Sequence, residues 1–127
     1  MTALKKKSEG KHRYPTVRTE ETCEEQLRRM CKEIADDITD GLKIDDTSGQ
    51  ETVSQWMEGV YDIEWITFQD HSYKAARLLV AGGGPNIWVN TLNSSVDGYW
   101  GNDRVQWIYS DNIGLDEYLE ELYASSK

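Results

Sequence analysis

Residues 73–91, YKAARLLVAGGGPNIWVNT, decide how this chain is built. Tyr73 to Ala81 reads as a strand, and its run Leu78-Leu79-Val80 is apolar on both faces, as in a strand at the centre of a sheet. Gly82-Gly83-Gly84-Pro85-Asn86 breaks it, with glycines free to take positive φ and a proline to fix the exit. Ile87 to Leu92 then resumes an extended pattern. Working backwards, Tyr61, Ile63, Trp65 and Thr67 alternate with Asp62, Glu64, Ile66 and Phe68, the period of a strand, with a turn at Gln69 to Ser72. Working forwards, a polar turn at Asn93 to Ser95 leads into Val96 to Trp100. Gly101-Asn102-Asp103 makes another turn before a last short strand, Val105 to Tyr109. These hairpins predict an antiparallel meander of four or five strands, with Trp65 and Leu79 among its core residues.

Helical spacing brackets this meander. Cys23, Leu27, Met30, Ile34 and Ile38 recur at intervals of three and four, which puts them in one stripe about 80° wide on a helix. That helix runs to about Gly41, and Thr16, Thr19 and the acids from Glu20 to Glu25 supply its start. Lys43 to Gln50 reads as a polar connection. Val53, Trp56, Met57 and Val60 fit a short second helix over residues 51–60. At the other end, Leu115, Tyr118, Leu119, Leu122 and Tyr123 mark a C-terminal helix with Asp116 and Glu117 in its first turn. The fold class is α+β: an N-terminal amphipathic helix and a short second helix, the meander, and a C-terminal helix packed with the first on one face of the sheet.

The 127 residues suffice for one core, and although only 38% are hydrophobic, five Trp and seven Tyr bring large buried areas. Residues 1–18 carry six bases against Glu9 alone, net +5, so the other 109 residues carry −14 of the chain's formal −9. The sequence therefore divides into a flexible basic tail, 1–18, and a single acidic α+β domain, 19–127. A domain so acidic repels nucleic acid and anionic membranes and is drawn to basic surfaces, so a basic protein is the expected partner, with neither direct nucleic-acid binding nor membrane binding. No stretch approaches the roughly 20 apolar residues that span a bilayer, and no apolar segment follows the basic start, so a cytoplasmic protein is expected. Cys23 and Cys31, eight residues apart on one helix, lie on the order of 12 Å from each other, beyond disulfide reach. They read as structural thiols in a reducing compartment.

Catalytic chemistry lacks its usual residues. The glycine run has no Lys-Ser/Thr after it and opens no helix, so it matches no nucleotide-phosphate loop. His12 and His71 have no metal-spaced partners, and no Ser or Cys sits in a nucleophile motif. Asp45-Asp46-Thr47-Ser48-Gly49 resembles a calcium loop superficially, but Ile44 stands at the first ligand position and Gln55 at the closing one. No catalytic residue, metal or cofactor is expected, and the chain is read as a non-enzyme.

The acidic face of the first helix is the more specific feature. Glu24 with Arg28 and Glu25 with Arg29 are spaced for pairing. From Glu33 onward compensation thins to Lys32 near Asp36, and Asp36, Asp37 and Asp40 crowd the C-terminal end, where the helix dipole disfavours anions. Asp45 and Asp46 extend the run. Carboxylates one turn apart repeat at about 5–6 Å, comparable with phosphates along one nucleic-acid strand. Glu33, Asp36, Asp37, Asp40, Asp45 and Asp46 are thus candidates for meeting a basic nucleic-acid channel. Asn86, Trp88 and Trp100, at one end of the sheet, form a second candidate surface.

The segments from Leu78 to Thr91, Gly98-Tyr99-Trp100-Gly101 and Leu115 to Leu122 resemble small uncharacterised acidic proteins of phages and conjugative elements of Gram-positive bacteria. The likeness extends over roughly residues 20–125. It implies no catalytic residues. It does imply a genetic setting in which small acidic proteins often inhibit host restriction enzymes or CRISPR nucleases, so an inhibitor of the anti-CRISPR or anti-restriction type is expected. The alternative is a non-catalytic interaction module of such an element, binding through the sheet-end aromatic loops.

Overall fold

The computed structural model describes residues 22–45, 49–50 and 52–126. The tail expected over residues 1–18 lies outside them, as does Asp46. Helix α1, Cys23–Thr39, starts where its cap chemistry is complete. Thr22 Oγ1 accepts from the Glu25 N–H at 3.1 Å, and the Glu25 carboxylate accepts from the Thr22 N–H at 3.0 Å. Such a reciprocal cap stabilises a helix by about 1 kcal/mol. The described helix is thus capped at Thr22, and the earlier Thr16 and Thr19 lie outside the described residues.

The apolar stripe is largely as the spacing predicts, with Leu27, Met30, Ile34 and Ile38 buried, but Cys23 is exposed and Cys31 takes its place in the core. Cys23 sits in the first turn, ahead of the part of the helix that lies on the sheet. At the other end Gly41 and Leu42 adopt left-handed φ of 87° and 59°, and the Leu42 N–H closes the last turn on the Asp37 carbonyl at 2.8 Å. A leucine at positive φ is strained. Its side chain is buried in the core, and that burial offsets the strain.

The connection expected over residues 43–50 instead forms a small antiparallel pair, β1 (Lys43–Asp45) with β2 (Gly49–Gln50). Helix α2, Val53–Met57, is shorter than the spacing predicts. Thr52 and Gln55 cap it reciprocally, and it delivers Trp56 to the core at 1% exposure.

Five strands follow: β3 (Asp62–Thr67), β4 (Tyr73–Ala81), β5 (Asn86–Asn90), β6 (Ser95–Trp100) and β7 (Asp103–Ile108), with α3 (Leu115–Ser125) after them. They pair in sequence order, each antiparallel to the next, as one meander. The turn into β6 spans residues 91–94, so Ser95 belongs to the strand. Gly83 turns the β4–β5 connection at φ 89°, the positive angle that the glycine run predicts.

Register assigns the faces. Ile63, Leu78, Val89, Val96 and Trp107 form one cross-strand row, and Ile87, Gly98 and Val105 form the next on the same face. Both long helices lie there, α1 over β6 and β7 and α3 against β4. A Cβ on Gly98 would stand 2.6 Å from Cys31 Sγ and 2.8 Å from Leu27 Cδ1, so only glycine lets α1 approach β6 this closely. Against β4, the Tyr123 ring packs on Trp65 at 5.1 Å and on Tyr73 at 6.0 Å. Asp111 receives the N–H groups of Leu115 (2.9 Å) and Asp116 (3.0 Å), standing in for the side-chain cap that Gly114 lacks.

Leu79 departs from expectation. It lies opposite Trp88, itself opposite Asp97, on the face away from the helices, and is only partly buried. Trp65 does face the helices but is half-buried, packed against the core rather than inside it.

Candidate interaction surfaces

Two surfaces carry the polar chemistry: the outward sides of the helices and the uncovered face of the sheet. On α1, bases hold most of the acids. Arg28 pairs with Glu24 at 2.9 Å, Arg29 with Glu33 at 3.4 Å, and Lys32 with Asp36 at 2.6 Å. The spacing predicts Glu25 as the partner of Arg29; Glu25 caps the helix, and the described pair of Arg29 is Glu33. The hydrogen bond to Asp36, with the charge of Asp36 after it, holds the Lys32 ammonium above its ordinary range. Asp37 is half-buried, and Asp40 is exposed at the helix end, where the last turn contains no base. Asp45 lies in β1, separated from that row by the left-handed turn at Gly41 and Leu42. On α1 itself the candidate acids are therefore not one array: Glu33 and Asp36 are paired, and Asp40 stands apart at the end.

Helix α3 differs. Asp116, Glu117, Glu120 and Glu121 are all exposed, and its eleven residues include no Lys or Arg. Asp116 accepts a hydrogen bond from the Tyr73 hydroxyl at 2.6 Å. Burial, and then that bond, raise the Tyr73 phenol above its ordinary range. Asp116 and Glu117 gain from the N-terminal dipole, whereas Glu120 and Glu121 lie beyond its favourable turn. The sequence analysis used these acids only to place a helix start. The absence of any base from LDEYLEELYAS was the available signal of an uncompensated acidic face.

The sheet-end candidates divide. Asn86 lies opposite Tyr99, and Trp88 opposite Asp97, so both point to the uncovered face. Trp100 alternates with Tyr99 and packs against the core on the helix side, near Gly84. On the uncovered face the Arg77 guanidinium lies 4.3 Å from the centre of the Trp88 ring and pairs with Glu64 at 2.7 Å. The Arg104 guanidinium lies 5.6 Å from the Tyr99 ring. Between them Asp97, 8% exposed, accepts from Ser95 Oγ at 2.9 Å and Gln106 Nε2 at 3.1 Å. Sequence reasoning missed this group. Its signal was a carboxylate alternating with Val96 and Gly98 inside a strand.

Burial pushes the Cys31 thiol up to about 12, with Asp97 adding to the shift, so it carries no reactive thiolate near neutral pH. Among the described residues no group of three or more His, Cys, Asp or Glu is placed to hold a metal ion, and no helix is long and apolar enough to cross a membrane. No protein family, curated protein or solved structure matches the chain.

Proposed function

We propose that the protein is a non-catalytic inhibitor encoded by a phage or conjugative element, acting in the bacterial cytoplasm on a host-defence nuclease. It would occupy the basic nucleic-acid site of a CRISPR effector or restriction enzyme. The observation that carries this reading is α3, with four exposed carboxylates in eleven residues and no base among them. Asp116 with Glu120 and Glu117 with Glu121 are one turn apart, about 5–6 Å, a spacing fit to meet a row of arginines or lysines that otherwise grips phosphates. The candidate surface thus shifts from the α1 row towards α3, with Asp37 and Asp40 as outlying acids. Core packing and capping hold α3 rigid, which limits the ordering entropy lost on binding.

A second reading is an interaction module that binds through the sheet end. It keeps Asn86 and Trp88, which share the uncovered face, and loses Trp100, which does not.

Competition tests the first reading. Labelled target DNA bound to a purified defence nuclease is challenged with the full chain at increasing salt. Displacement that weakens as salt rises, and nuclease that cannot hold DNA and protein together, is the expected result. A ternary complex with undiminished DNA would refute occupation of the nucleic-acid site.

A further inference from the structure

The uncovered sheet face holds a polar cavity of about 480 Å³, within the roughly 300–1,000 Å³ range of small-ligand sites. Arg77, Asn90, Asp97, Tyr99, Arg104 and Gln106 line it. Register accounts for the convergence. Asn90 is opposite Arg77, Asp97 is opposite Gln106, and Tyr99 is opposite Arg104, all on one face, with diagonal neighbours about 7–8 Å apart.

The chemistry of the cavity is two-sided. Asp97 is a buried carboxylate whose hydrogen bonds come from two neutral groups, Ser95 and Gln106, and no cation among the described residues pairs with it. Burying a charge without an opposite charge is costly, and a fold selected only for stability would place an amide there. The Oδ1 of Asn90 already accepts from the N–H groups of Leu92 (2.9 Å) and Asn93 (3.1 Å), which leaves its amide donors as what it can offer a ligand. Above these polar groups stand two arginines in an otherwise acidic domain. Arg77 is partly neutralised by Glu64, and Arg104 lies over Tyr99. The cavity lining therefore combines a carboxylate acceptor, an amide donor, an aromatic ring and two cationic groups.

We infer that this cavity binds a guanine mononucleotide. The guanine edge carries an acceptor, O6, next to two donors, N1–H and the N2 amine. Asn90 matches the acceptor and Asp97 Oδ2, the oxygen that Ser95 and Gln106 leave free, the donors, while Tyr99 offers the ring face that Arg104 does not cover and Arg104 with Arg77 the counter-charge for the phosphate. Adenine presents a donor at N6 and an acceptor at N1, which would face the Asp97 carboxylate with repulsion. The net charge of the domain disfavours a nucleic-acid polymer, with many phosphates, and tolerates a mononucleotide with few. The site is separate from α3, which packs on the opposite face of the sheet, so it stands or falls independently of nuclease inhibition.

The test is titration of the full chain with GMP, AMP and inorganic phosphate, followed by calorimetry and by amide NMR shifts. GMP is expected to bind at least about tenfold more tightly than AMP or phosphate, with shifts centred on residues 90, 97, 99 and 104. Asp97→Asn should keep or raise the melting temperature, since an amide oxygen still accepts from Ser95 and Gln106, while the GMP preference disappears. Arg104→Gln, at an exposed position, should weaken GMP and AMP together. Absence of GMP binding at millimolar concentration overturns the inference. Equal affinity for GMP, AMP and phosphate does so as well, as does GMP affinity unchanged in either folded variant. An Asp97→Asn protein that no longer melts cooperatively would contradict the claim that this carboxylate is held at a cost to stability.

Discussion

Helices α1 and α3 lie on the same face of one sheet, yet they use their residues in opposite ways. Over 17 residues α1 buries Leu27, Met30, Cys31, Ile34, Ala35 and Ile38, and it laces its outer side with three acid–base pairs. Over 11 residues α3 buries Leu115 and Leu119 and carries four acids with no base of its own. The first pattern is that of an element the core depends on. The second leaves like charges together on a rigid surface, which contributes little to folding and much to an encounter with a basic partner. The contrast assigns stability to α1 and, under the proposed function, recognition to α3.

The largest expected effect lies in the α1 core. Leu27→Ala should cost about 3–5 kcal/mol in urea unfolding, because Leu27 is fully buried and a rigid sheet below it cannot collapse into the space. Gly98→Ala comes next. The added methyl meets Cys31 and Leu27, so about 1–3 kcal/mol should be lost as α1 is pushed off β6. A neutral Gly98→Ala would mean that α1 sits further from the sheet than described.

Alkaline titration sharpens the same interface. Burial holds the Cys31 thiol at about 12 against an ordinary 9.0, so the folded state favours the protonated form. The corresponding stability is fully present below about pH 9 and is lost as pH rises towards 12. Tyr109, also raised by burial, adds to the loss in the same direction. Thiol reagents at neutral pH should modify Cys23 promptly and Cys31 only on unfolding; equal rates would contradict the helix phase.

The smallest stability effect belongs to α3. Glu117→Gln, Glu120→Gln and Glu121→Gln combined should change unfolding free energy by no more than about 0.5 kcal/mol, since all three side chains are exposed. A loss of several kcal/mol would give α3's acids a structural role.

Much of this arrangement was legible in the sequence, for identifiable reasons. Alternation from Ile63 to Thr67 and the breakers at Gly82 to Asn86 mark strands and turns through backbone sterics, which act locally. The spacing of Leu27, Met30, Ile34 and Ile38 likewise sets a helix face. Orientation was harder. In Leu78-Leu79-Val80 either face is apolar, so only pairing with Trp88 and Asp97 reveals that Leu79 turns outward. Arg29 has acids four residues away on both sides, and the choice of Glu33 depends on Glu25 being engaged by the cap. The Asp97 cluster brings together four strands, Arg77 of β4, Asn90 of β5, Asp97 and Tyr99 of β6 and Arg104 of β7, through a register that no single segment encodes.

The most direct measurement sets the two helices against each other in one assay. Cleavage of target DNA by a purified defence nuclease is followed with the parent chain, with the Glu117→Gln, Glu120→Gln, Glu121→Gln variant, and with Asp36→Asn, Asp37→Asn, Asp40→Asn, all three proteins being checked for an unchanged melt. The parent and the α1 variant should inhibit within a few-fold of each other, and the α3 variant should lose about tenfold or more, as when charges that meet a partner's buried bases are removed. Full inhibition by the α3 variant, with loss confined to the α1 variant, would contradict the assignment of recognition to α3.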